Sequence, residues 1–167
     1  MSRLHILRYP DARLHKIATP VEDVNESIRT LVADMAETMY AAPGIGLAGT
    51  QVNVHKQVIV IDASETRDKL LVLINPEILA ASGVAECEEG CLSVPGIYER
   101  IARAEHIAVR ALGPDGRTFT ADAEGMLAVC IQHEMDHLKG RVFVEYLSRL
   151  KQTRIRAKLQ KQQRQSA

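Results

Sequence analysis

In Ile131-Gln132-His133-Glu134-Met135-Asp136-His137-Leu138, two histidines stand four residues apart, with a glutamate directly after the first. On a helix, residues i and i+4 project from one face a turn apart, so His133 and His137 can grip one metal ion. Glu134 can then act as base toward a water bound to that ion. Met126, Val129, Cys130, His133 and His137 recur at helical spacing, which predicts a helix from about Ala123 to Lys139. Gly140 supplies its stop. Two surface or core histidines brought together by chance are the competing explanation, and the adjoining glutamate and the helical pattern weigh against it.

Two imidazoles do not complete a catalytic site, which usually has three protein ligands and an open position. His137-Leu138-Lys139-Gly140 begins like the longer metzincin pattern, but Phe143 stands where the third histidine belongs. Glu145, the last acidic residue, lies too close to His137 to return to the metal easily. The search therefore moves upstream, to Cys87, Cys91, Cys130, four further histidines (His5, His15, His55, His106) and the carboxylates. Cys130 sits one turn before His133 and is better placed to line a pocket than to ligate. Cys91 lies in Glu88-Glu89-Gly90-Cys91-Leu92-Ser93-Val94-Pro95, where Gly90 and Pro95 mark an irregular break in a strand. Such a break can aim a thiolate and expose backbone N–H groups. Cys87 would share a face with Cys91 on an extended chain, about 13 Å away. Cys91 is the leading candidate, beside the plain alternative of a small buried core residue.

A chain of 167 residues is expected to form one domain over 1–167, large enough to bury a proper core. No apolar run approaches the ~20 residues needed to span a bilayer, so no membrane association is expected. The N-terminus lacks a signal-peptide core. Three cysteines, an odd number, argue against a disulfide framework and for a reducing, cytoplasmic setting. Net charge is zero, but unevenly distributed. From Arg149 onward there are seven cations and no anion, leaving 14 basic residues against 21 acidic ones in the first 148. A mildly acidic body thus carries a basic extension over about 147–167.

Residues 1–20 read as a turn-rich lead-in around Tyr9-Pro10-Asp11. Asp23 to Ala42 reads as an amphipathic helix, with Asp23 and Glu26 as a capping box and Pro43-Gly44 as its end. Gly44-Ile45-Gly46-Leu47-Ala48-Gly49-Thr50-Gln51 matches the dinucleotide fingerprint literally. That fingerprint should follow a strand and open a helix; this one follows a helix and runs toward strands, so the dinucleotide reading is rejected. Strands are expected at Val58–Ile61, Leu70–Ile74, Val84–Ser93 and Ile101–Leu112. Pro114-Asp115-Gly116 then turns the chain into a hairpin through Arg117–Ala121. A last helix should begin near Glu145. This order implies an α+β fold, with antiparallel strands around a central metal-binding helix and a basic C-terminal helix.

Three motifs in order, Gly44 to Gln51, Glu89-Gly90-Cys91-Leu92-Ser93 and His133 to His137, make the chain resemble the bacterial peptide deformylases over nearly its whole length. One departure is Gly49, where that family usually has alanine; the missing methyl is expected to loosen the loop. The resemblance implies that Cys91, His133 and His137 bind one divalent metal. It implies Fe²⁺ as the native ion, with Zn²⁺, Ni²⁺ or Co²⁺ able to take its place, and a Cys-His-His set suits several of these. It implies a substrate, the N-formyl group of the initiator methionine on nascent polypeptides, released as formate.

The residues support such chemistry. A water acidified by the ion attacks the formyl carbon. The Gln51 amide and the Leu92 backbone N–H are the expected donors to the tetrahedral oxygen, and Glu134 carries the proton to the departing amine. Ile45 and Gly46 of the glycine loop, with Met126, Val129 and Cys130, are expected to form the methionine pocket; for Met126, ordinary core packing explains the position equally well. Arg103 is expected to pair with Glu88 or Glu89. The basic helix is expected to contact the ribosome through rRNA phosphates. Two competing readings are a zinc aminopeptidase or endopeptidase, disfavoured by the missing downstream ligand, and a ribosome-associated protein with a structural zinc, disfavoured because such sites are closed by four ligands.

Overall fold

The computed structural model describes residues 2–166. The strands are β1 (Gly46–Ala48), β2 (Val58–Ile61), β3 (Leu71–Ser82), β4 (Ala85–Cys91), β5 (Val94–Arg103), β6 (His106–Leu112) and β7 (Thr118–Glu124). The helices are α1 (Glu26–Ala41), α2 (Gly125–Leu138) and α3 (Arg149–Ser166). The fold is α+β. Five strands form one antiparallel sheet in the order β1-β2-β3-β6-β7, and β4 and β5 form a separate hairpin.

The four residues of β2 explain the layering. All are buried, and alternate side chains point to opposite faces. Val58 and Val60 pack with Ile28, Val32, Met35 and Met39 of α1. Ile59 and Ile61 pack with Ala128, Ile131, Met135 and Leu138 of α2. The sheet is therefore held between α1 and α2. A third cluster joins Val94, Ile97 and Ile101 of β5 to Leu7, Tyr9, Phe143, and Ile155 and Leu159 of α3. Burying each such aliphatic side chain stabilises the fold by about 1.5–3 kcal/mol, so the first half of α3 is anchored rather than free-standing.

Several boundaries differ from expectation. α1 is capped by Asn25, whose side chain accepts from the Ile28 N–H at 3.1 Å, and not by Asp23. The Leu70–Ile74 strand continues to Ser82 past an irregularity between Ile74 and Glu77. The Ile101–Leu112 segment divides at Ala104-Glu105 into β5 and β6, which belong to different sheets. Ala123 and Glu124 end β7 rather than starting α2, and Gly125 enters that helix at φ +61°. Phe143–Tyr146 is a 3-10 turn, and α3 begins only at Arg149. The Gly44–Gln51 stretch follows α1, forms the sheet-edge strand β1 and closes in a 3-10 turn, Gly49–Val52, with no strand-to-helix crossover. Gly49 is not a gap. A Cβ there would lie 2.7 Å from the Val54 carbonyl and 2.9 Å from that of Lys56, so close backbone approach accounts for the glycine.

Candidate metal centre

α2 presents His133 and His137 on one face, their ring centroids 5.0 Å apart. The β4–β5 hairpin brings Cys91 over them. Its two-residue turn, Leu92-Ser93, follows a register shift between Glu89 and Cys91, the break that Gly90 suggested. The ligand atoms of Cys91, His133 and His137 lie within 4.8 Å of one another, with Cys91 Sγ 3.3 Å from His137 Nε2. Ordinary metal–sulfur and metal–nitrogen bonds in a tetrahedral site set that separation at about 3.6 Å, so this sulfur and nitrogens fit one shared ion.

Electrostatics point the same way. Burial holds His137 well below the ordinary histidine value, hence neutral as a ligand must be. Burial also opposes a charge on His133. The hydrogen bond to Cys91, the Glu134 charge and the Glu89 hydrogen bond outweigh it and push His133 well above its ordinary value. A field that favours positive charge there favours a cation as well. Cys87 and Cys130 stand apart from the ligand set. Burial, reinforced by Glu134 and Glu89, pushes the Cys130 thiol up to about 12, which leaves it as a neutral wall residue.

One buried network orients both halves. Glu89 Oε1 lies 2.7 Å from His133 Nδ1, which leaves Nε2 to face the ligand cluster. Arg103 donates to both Glu89 oxygens at 2.8 and 2.9 Å, and to Asp136 Oδ2 at 2.6 Å. Tyr146 donates to the same Asp136 oxygen at 2.8 Å. The expected Arg103 pairing is therefore with Glu89, not Glu88. The bridge to Asp136 went unforeseen, although Asp136 sits between the two histidines in sequence. Glu89 as partner of His133 was also missed. Its signal was the period-two alternation that puts residues 89 and 91 on one face of β4.

Glu134 is buried, and one carboxylate oxygen, Oε1, has no protein hydrogen-bond partner among the described residues. Burial pushes its carboxyl up to about 7, against the opposing His133 charge. Gly46 makes room for it: a Cβ on residue 46 would lie 2.6 Å from Glu134 Oε2. Gln51 is buried and its amide is fixed at both ends. Oε1 accepts the Ala48 N–H at 2.9 Å, and Nε2 donates to Ser93 Oγ at 3.0 Å and approaches Cys91 Sγ at 3.4 Å. Ser93, not singled out from sequence, also donates its N–H to Cys91 Sγ at 3.4 Å.

A cleft of about 900 Å³ opens over the cluster. Its walls include all five expected pocket residues, Ile45, Gly46, Met126, Val129 and Cys130, together with Leu92, Cys91, His133 and Glu134. Met126 is 50% exposed, which removes core packing as its explanation. Gln51 and His137 lie behind the wall.

Residues 3–153 match the family model described as polypeptide deformylase. The chain belongs to that family. Among curated deformylases, it is 70% identical to peptide deformylase 2 of Nitrosomonas europaea over 164 residues, covering 98% of this chain and 89% of that protein. It is 64% identical to peptide deformylase 1 of Burkholderia multivorans, over 98% and 91% of the two chains. Among solved deformylase structures, that from Legionella pneumophila superposes with a TM-score of 0.95 at 47% identity, covering 99% and 98%. The Ehrlichia chaffeensis deformylase in complex with actinonin superposes with a TM-score of 0.95 at 43% identity, covering 98% and 99%.

Proposed function

We propose that this chain is a metal-dependent hydrolase that removes the N-formyl group from the initiator formylmethionine of nascent polypeptides and releases formate. The observation that carries the reading is the convergence of Cys91, His133 and His137 beside the buried Glu134, under a cleft whose wall includes Cys91, His133 and Glu134. Residues 1–167 act as one catalytic domain, with about 147–167 as a basic extension that carries α3. Cys91, His133 and His137 hold one divalent ion. Fe²⁺ is the native choice and Zn²⁺, Ni²⁺ or Co²⁺ are competent substitutes, because one thiolate and two imidazoles suit all four. When bound, the ion acidifies a water and polarises the formyl oxygen.

The remaining work falls to the chain's own side chains. Glu134, raised to about 7, takes a proton at a carboxylate oxygen near neutral pH and returns it to the leaving amine. Gln51 Nε2 is aimed toward the Cys91 side of the site because Oε1 is engaged by Ala48. With the Leu92 backbone N–H in the adjoining turn, it supplies donors for the developing oxyanion. Ile45, Gly46, Met126, Val129 and Cys130 receive the methionyl side chain and exclude water.

Formate release from formyl-Met-Ala, measured beside the unformylated dipeptide, tests the reading. Formate without peptide-bond cleavage is expected; cleavage without formate would make the chain a peptidase. Metal analysis after anaerobic purification, with activity followed in air, identifies Fe²⁺ by rapid loss.

α3 carries seven exposed cations, and of these Lys151 is paired, with Glu99 at 3.1 Å. These support contact with rRNA phosphates on a ribosome in the cytoplasm; among the described residues no helix is long and apolar enough to cross a membrane. Because Ile155 and Leu159 are core residues, charge reversal at Lys158, Lys161 and Arg164 is a cleaner test than deletion. Ribosome co-sedimentation at low salt should fall, and unchanged co-sedimentation would remove this partner.

A further inference from the structure

The connection between β2 and β3 takes no part in the chemistry above, yet it grips the glycine loop from behind. Arg67 adopts φ +58°, a region a side chain occupies only where its surroundings hold it. Three contacts do so. Arg67 Nη1 donates to the Asp62 carbonyl at 2.8 Å, Nη2 donates to the Gly44 carbonyl, and the guanidinium lies 5.0 Å over the Tyr40 ring. Asp62 is buried and accepts from Tyr40 Oη at 2.6 Å, Ser64 Oγ at 2.5 Å, Ser64 N at 3.0 Å and Lys69 N at 3.1 Å. Its own N–H donates to the Ile45 carbonyl at 2.8 Å. The carbonyls of Gly44 and Ile45 are thus each tied to this connection, and through Tyr40 to the last turn of α1.

We propose that Arg67 is a positioning residue for substrate: it holds the Gly44-Ile45 wall of the cleft in the shape that receives the methionyl side chain. The inference rests on the deformylase reading. Gly46, which makes the slot for Glu134, is fixed separately by its pairing with Ile61 in the sheet. Release of Arg67 therefore loosens Gly44 and Ile45 while Glu134 keeps its place. The signature is a change in KM without a matching change in kcat. A connection that served only to stabilise the fold would lower Tm and leave both constants alone.

Arg67→Met keeps an apolar stem over Tyr40 and removes the donors. Loss of a charged donor to a loop carbonyl should raise KM for formyl-Met-Ala about fivefold or more, with kcat within about twofold and metal content unchanged. Amide hydrogen exchange should quicken at residues 44 and 45 but not at Gly46 or at 58–61. Arg67→Lys should fall between wild type and Arg67→Met. Tyr40→Phe, which keeps the ring but removes one of the hydrogen bonds that hold Asp62, is the second probe should Arg67→Met not fold, and should move KM the same way. A fall in kcat at constant KM, unchanged constants with a lowered Tm, or faster exchange spread through β2 would overturn the proposal. A wild-type chain that releases no formate would instead defeat the deformylase reading, and the exchange pattern alone would then decide the clasp.

Discussion

Arg103→Met strikes the network that steadies both halves of the metal centre. Methionine fills much of the same apolar path but removes two hydrogen bonds to Glu89 and one to Asp136. The side chains left behind are 4% and 13% exposed, so water replaces the donors poorly at Glu89 and only in part at Asp136. Removing one partner of a buried pair costs about 3–5 kcal/mol. Glu89 keeps His133 at 2.7 Å and Asp136 keeps Tyr146 at 2.8 Å, which places the expected loss near the lower end, about 3 kcal/mol. For a domain of this size each kcal/mol shifts Tm by about 2–4 °C, so a fall of about 6–12 °C should appear by calorimetry.

The pH dependence has a definite sign. Burial pushes Glu89 up, but the hydrogen bonds from Arg103 and His133 outweigh it and hold the carboxyl below its ordinary value. Its contribution to stability is therefore complete above the unfolded carboxyl value and is lost as pH falls through the lower folded one. Without Arg103 that carboxyl rises, and the variant should lose stability at a higher pH on acidification. Because Glu89 also orients His133, metal affinity should weaken about 10–100-fold. Arg103→Met combined with Glu89→Gln should cost less than the two single changes added, by about 1 kcal/mol or more. A Tm within about 2 °C of wild type, or strict additivity, would refute the network as described.

Glu134→Ala should keep the metal, by elemental analysis, yet lose turnover by at least about 100-fold, the usual scale for a lost general base; retained turnover would remove Glu134 from that role. Gly49→Ala should lower stability by about 1–3 kcal/mol in urea unfolding, because its methyl meets the Val54 and Lys56 carbonyls; a stabilised variant would show that the loop relaxes freely. Burial, and then the hydrogen bond to Asp62, push the Tyr40 phenol up to about 12. Its contribution to stability should be intact below the ordinary tyrosine value and be lost as pH rises through about 12, and ultraviolet titration of wild type against Tyr40→Phe should resolve the late phenol.

The sequence made the helix legible and left the turns around it obscure, for definable reasons. α2 announces itself because its apolar and ligand positions share one 3.6-residue period. Its start does not, because Glu124 caps it without a side-chain bond and the preceding Thr118–Glu124 segment already alternates as a strand. The division between β5 and β6 is invisible because the alternation keeps its phase across it. Ile101, Arg103, Ile107, Val109 and Ala111 are all buried and all odd-numbered, so one strand and two look alike. What no local pattern contains is the meeting of Glu89, Arg103 and Asp136, which come from three elements and pair only once the hairpin lies on α2.

That meeting also explains why a cysteine on a hairpin can complete a helical pair of histidines. A two-residue turn is a poor platform by itself, since its conformation is fixed only locally. Here the turn is braced on both sides of Cys91. Two residues before it, Glu89 is bound to Arg103 and His133; two residues after it, Ser93 is bound by Gln51 and accepts the Tyr9 N–H at its carbonyl, 2.8 Å away. Arg103 in turn is tied to Asp136, one residue before His137. The Cys91 sulfur and the two imidazoles are therefore positioned by one shared set of buried charges rather than by three independent supports. A disturbance at any member should move metal affinity and stability together, whereas the glycine-loop clasp at Arg67, which touches none of these groups, should move substrate binding alone.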